Sequence, residues 1–224
     1  PNLYRFYATL WILGMTACQG GTDDTATLTP RGAVPEVGPP EPQLKRLTES
    51  QYLNSITDIF NEDIALTTQM DPLEESGGLY AIGAGVSTVS PLGVERFETA
   101  AFQIAEQAMD DAATHARLVP CEPEAWRDDS CAEQVLEPLG LQVWRRPLTS
   151  DELGLLVEIS GTAAETFEDF TDGLEYGIAT LLQSPHFLYR IELGEEDESG
   201  GYRYTDYEMA SRLSFLLWNT TPDE

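Results

Sequence analysis

The sequence predicts an all-α fold, a multi-helix bundle, and three features carry that prediction. Helix starts are marked by Thr-x-x-Gln/Glu capping boxes at Thr48 with Gln51, Thr149 with Glu152 and Thr205 with Glu208, whose side chains satisfy N–H groups left free by the first turn. Each box has an apolar residue before it and another five positions later: Leu47 with Tyr52, Leu148 with Leu153, Tyr204 with Met209. Apolar residues then recur every three or four positions, whereas strand-like stretches are confined to residues 79–82 and 202–204.

Residues 1–18 hold one cation, Arg5, then an apolar run from Phe6 to Ala17, then Cys18. A run of that length is shorter than the roughly 20 residues a spanning helix needs and fits the core of an export signal. Thr16 and Ala17 directly before Cys18 resemble a bacterial lipoprotein signal, with Met15 where Leu is usual; an ordinary signal cut near Ala17 is the alternative. Acyl chains at Cys18 would contribute about 0.8 kcal/mol per buried CH₂. Gln19 follows instead of an inner-membrane-retaining Asp, so the outer membrane is the expected destination. Residues 19–43 are Gly, Thr, Asp and Pro with few large apolar side chains, a composition that predicts a disordered linker.

After Thr48 a first helix has the stripe Tyr52, Leu53, Ile56, Ile59 and Phe60. Ser90 and Pro91, cap and first-turn residue, open a longer one with Val94, Phe97, Ala101, Ile104, Ala105, Ala108 and Met109. Further helices are expected at about 131–144, 150–160, 167–183, where Ser184 and Pro185 stop it, and 206–218. Leu213, Phe215, Leu216, Leu217 and Trp218 surround the last helix and call for partners on more than one side. The expected organisation is a signal peptide at 1–18, a linker at 19–43, a helical domain at 44–120, and a second at 121–224 that continues beyond the end of the sequence.

The 224 residues, 42% hydrophobic, suffice for one domain or two small ones. A formal net charge of −27 repels phosphates and anionic headgroups, which argues against nucleic-acid binding. With Cys18 assigned to lipid, Cys121 and Cys131 remain. In an oxidising compartment a disulfide closing this loop would stabilise by about 3 kcal/mol, with two free thiols as the alternative. No Cys-x-x-Cys-His is present, so no cofactor is expected in this chain.

Candidate chemistry is sparse. The Gly-rich stretch 76–90 includes Gly83-Ala-Gly85 but puts Thr88 where a dinucleotide fingerprint wants glycine, and reads as a surface loop that could line a cleft. His115, near a helix end, and His186, after a proline, read as capping or packing groups, and no metal site is expected. Glu195, Glu196, Asp197 and Glu198 are consecutive and so point to different sides, as on a solvated turn. Arg145, Arg146, Arg190 and Arg212 lie beside apolar segments. They would tie helices together through Asp151, Glu192 or Glu208, or else form an anion or substrate-carboxylate pocket.

The same segments carry a family resemblance. RLTESQYLNSITDIF at 46–60, the Cys121 to Cys131 block leading to WRRPLT, LLQSPHFLYRIELG at 181–194 and YEMASRLSFLLWNTTPDE at 207–224 resemble, in order, four blocks of the planctomycete-specific domain proteins. The resemblance implies an exported protein, often longer than this chain, whose relatives carry or accompany c-type cytochrome domains; it transfers no catalytic residue. The expected role is a lipid-anchored structural or binding module of the cell envelope, with a cytochrome or envelope protein as candidate partner. A periplasmic enzyme or redox-associated component acting on an envelope polymer is the alternative.

Overall fold

The computed structural model describes residues 43–61, 63–73, 84–85, 88–196, 198 and 200–223. The expected signal peptide, Cys18, nearly all of the linker and most of the Gly-rich stretch lie outside them. Eight helices are present among the described residues: α1 (Glu49–Ile59), α2 (Pro91–Asp110), α3 (Ala112–Leu118), α4 (Asp129–Trp144), α5 (Ser150–Phe167), α6 (Phe170–Gln183), α7 (Pro185–Leu188) and α8 (Asp206–Leu217). The fold is all-α, and all three capping boxes form, with Thr48, Thr149 and Thr205 each accepting from the N–H three residues on.

The helices depart from the sequence reading at three places, one of them the short α7, which Ser184 caps where only a stop was expected. The long second helix stops at Asp111, which takes an extended conformation and accepts from the Thr114 N–H at 2.8 Å, so a short separate helix follows. His115 sits in the last turn of that short helix. Arg117 ties it to the end of α1, donating to the Ile59 and Phe60 carbonyls at 3.0 and 2.6 Å. Helix α5 runs past Ser160 to Phe167, because Gly161 is a packing position: a Cβ there would stand 2.8 Å from Arg127 Nε. It ends only where Glu168 turns left-handed (φ 56°), and Asp169 then caps α6 through the Thr171 and Asp172 N–H groups.

One hydrophobic core draws on both 44–120 and 121–224. Tyr52 of α1 meets Phe97 of α2 and Phe187 of α7, at ring-centroid distances of 5.9 and 5.3 Å. Ile104 and Ala108 share that core with Leu136, Leu174 and Ile178. The expected stripes hold except at Leu53 and Val94, which are exposed. Where α5 crosses α6 the backbones come close, since Gly173 leaves room for the Ser160 carbonyl. Of the apolar residues on α8 only Phe215 is buried; Leu216 is 76% and Trp218 68% exposed.

Two small sheets complete the fold. Strand β1 (Gln43–Arg46) pairs antiparallel with β2 (Tyr189–Glu192), an element absent from the sequence reading, and β3 (Glu195–Glu196) pairs with β4 (Tyr202–Arg203), close to the strand signal at 202–204. Glu195 and Glu196 are thereby exposed ladder residues, and Glu195 accepts from Arg203 at 2.9 Å.

Candidate functional site

The β1–β2 ladder sets Lys45 directly opposite Arg190, a like-charge pair that is unfavourable alone. Glu192, two residues along and therefore on the same face, resolves it. Its carboxylate, only 2% exposed, accepts from Lys45 at 3.3 Å, from Arg190 at 2.9 Å and from Arg212 of α8 at 2.5 Å. Arg212 also donates to the Tyr204 hydroxyl and lies 4.4 Å from the centre of that ring. On the other face of β1, the buried Arg46 reaches Asp71 at 3.1 Å and the carbonyls of Asp71, Pro72 and Thr88. Sequence reasoning missed this pair, whose only local signal was the Arg46-Leu47-Thr48 run.

Arg145 ends α4 in the left-handed region (φ 59°) and is buried. No carboxylate pairs with it among the described residues. It donates instead to the carbonyls of Val143, His186, Phe187 and Tyr189, between the rings of Phe187 and Phe215. Burial, with Arg190 nearby, pushes its pKa down to about 9, so the group stays charged at neutral pH. Arg146 takes the opposite course, forming a bidentate pair with Glu152 at 2.7 and 2.9 Å. That pair and the Thr149 contacts hold the Glu152 carboxyl at about 2. Of the partners expected for the arginines, Glu192 is used, whereas Glu152 stands in for Asp151 and Glu208 spends its oxygens on the Leu193, Gly194 and Thr205 N–H groups.

Beside these groups opens a cleft of about 380 Å³ between the α4–α5 turn, the α7–β2 segment and the first turns of α8. Trp144, Pro147, Ile191 and Leu193 give it apolar walls, with Arg146, His186, Tyr207 and Ser211 as polar lining. The His186 ring lies against Trp144, 4.7 Å between centroids, and its pKa is lowered by burial and by Arg146, which leaves it neutral at pH 7. Two larger depressions, of about 670 and 700 Å³, lie beside Trp218 and beside Trp126. Neither gathers cations as this cleft does.

Cys121 and Cys131 form a disulfide, so neither thiol is open to a thioether bond with haem. Among the described residues no three His, Cys, Asp or Glu side chains are grouped to hold a metal ion, and no helix is long and apolar enough to cross a membrane. Residues 45–110 are similar to the family described as PSD3, protein of unknown function (DUF1587), and residues 131–192 to PSD5, protein of unknown function (DUF1595). No curated protein and no solved structure matches the chain. The two matched segments meet in the β1–β2 ladder, and the second closes on Glu192.

Proposed function

Because this chain belongs to the planctomycete-specific domain family, we propose that it is an exported lipoprotein of the cell envelope acting as a structural or binding module. The observation that carries the module reading is the use made of the arginines. Arg146, Arg190 and Arg212 pair with carboxylates of the chain itself, and Arg145 is wrapped in its carbonyls. Such groups brace a scaffold, and they leave its lining preorganised for a ligand.

Export is supported by the disulfide, which persists in oxidising compartments, and by the apolar run that ends at Cys18. Acylation of Cys18 would moor an acidic domain that an anionic bilayer otherwise repels. The outer membrane is the expected location, and a cytochrome or another envelope protein the expected partner. Cys18→Ala is expected to shift the protein from the membrane pellet to the soluble fraction and to abolish metabolic labelling by a palmitate analogue. A variant that stays in the pellet would overturn the anchor.

A further inference from the structure

Two arginines, Arg145 and Arg146, line the Trp144–His186 cleft. The charges that act on the His186 imidazole are these two guanidiniums and the Glu152 carboxylate, a positive balance in a chain whose net charge is −27, while the lining Glu208 spends its oxygens on backbone N–H groups. An anion is drawn to such a point while the rest of the surface repels it.

Beyond the two arginines, whose donors are spent within the chain, the lining holds His186 and Ser211. Arg146 Nη2 stands 3.4 Å from His186 Nδ1 and 3.3 Å from Nε2. A nitrogen equally close to both ring nitrogens lies over the ring face, since in the ring plane it would collide with the carbon between them. The in-plane directions of the imidazole nitrogens are therefore left to a ligand, with Glu152 beyond hydrogen-bond reach at 3.9 Å. Ser211, buried at the cleft floor, has a hydroxyl with no hydrogen bond among the described residues. The walls, in contrast, are indole, proline and aliphatic carbon. A phosphate or a free sugar would leave those walls unused and lose its own hydration against them.

We propose that this cleft binds a small organic carboxylate with a flat apolar body. The apolar part lies against Trp144, Ile191 and Leu193, and the carboxylate accepts from His186 and Ser211 within the field of Arg145 and Arg146. Sites of this size, mainly apolar with a few convergent polar groups, suit ligands of one or two rings. The inference rests on the binding-module reading.

The test is isothermal titration of the full chain with 2-naphthoate and, separately, with its uncharged counterpart 2-naphthylmethanol. Saturable one-to-one binding of naphthoate is expected, with the alcohol at least about tenfold weaker. His186→Ala and Ser211→Leu, which removes a donor and fills the floor, should each weaken naphthoate binding by about tenfold or more. Circular dichroism verifies folding, and should Ser211→Leu unfold, His186→Ala decides. No saturation up to about 5 mM, equal binding of the alcohol, or folded variants that bind like the parent would overturn the proposal. Fractionation of Cys18→Ala reads the mooring and is blind to the cleft, so the two readings fail separately.

Discussion

Glu192 shows how one residue can decide the worth of several others. Lys45, Arg190 and Arg212 come from three elements far apart in sequence and converge on its carboxylate. Without it, three cations would face one another at the edge of the core. Breaking a buried pair from the carboxylate side is costly because the remaining charges lose their partner, and the part-exposure of the cations moderates the effect. Glu192→Gln is expected to destabilise by about 3 kcal/mol, measured by urea unfolding. A midpoint equal to that of the parent would mean that the ladder stands on its backbone bonds alone. In the sequence Glu192 was legible as one of three candidate partners. Nothing local distinguished it from Glu208, whose oxygens go to backbone N–H groups.

Helix α5 carries a comparison between elements within a few residues. Gly154 faces open solvent, and a Cβ added there would meet nothing within 4 Å, whereas a Cβ on Gly173 of the neighbouring helix would stand 2.6 Å from the Ser160 carbonyl oxygen. Gly154→Ala is therefore expected to stabilise by about 0.5–1 kcal/mol through helix propensity. Gly173→Ala should destabilise by about 1–3 kcal/mol by forcing the α5–α6 crossing apart. Thermal unfolding of the two variants side by side checks both signs, and two shifts of the same sign would sink the packing argument. The capping boxes of α1, α5 and α8 were legible because each is contained within four residues. The end of α5 was not, because Ser160-Gly161 reads locally as a stop while Gly161 in fact accommodates Arg127.

Across the whole molecule the charge of −27 concentrates unevenly, and one seam feels it most. Glu175 of α6 is partly buried among Asp172, Glu106, Asp110 and Asp169, and burial together with those neighbours raises its pKa to about 7. A carboxyl whose folded pKa is raised contributes stability below its unfolded value, near 4.5, and that stability is lost as pH climbs toward 7. His186 works in the opposite sense: its folded pKa is lowered, so the fold gains from it as pH rises through the ordinary histidine range. The parent's pH profile thus mixes the two, and the difference from Glu175→Gln isolates the seam. That variant is expected to melt higher than the parent at pH 8 and at the same temperature at pH 4. A constant difference across that range would overturn the assignment.

The sequence by itself determined the six longer helices, the starts marked by capping boxes and most of the buried faces, since caps and three-to-four-residue periodicity are local properties of the chain. It also pointed to the disulfide, with two free thiols as the alternative, and the structure forms it between cysteines ten positions apart. Only the tertiary structure decided the β1–β2 ladder, the Arg46–Asp71 pair, the choice of Glu192 as common counter-charge, and the cleft where Trp144, His186 and Ser211 meet. Those features join residues up to 147 positions apart, and no local pattern encodes which distant side chain will arrive. That choice falls to packing, which fixes where each helix end delivers its charge.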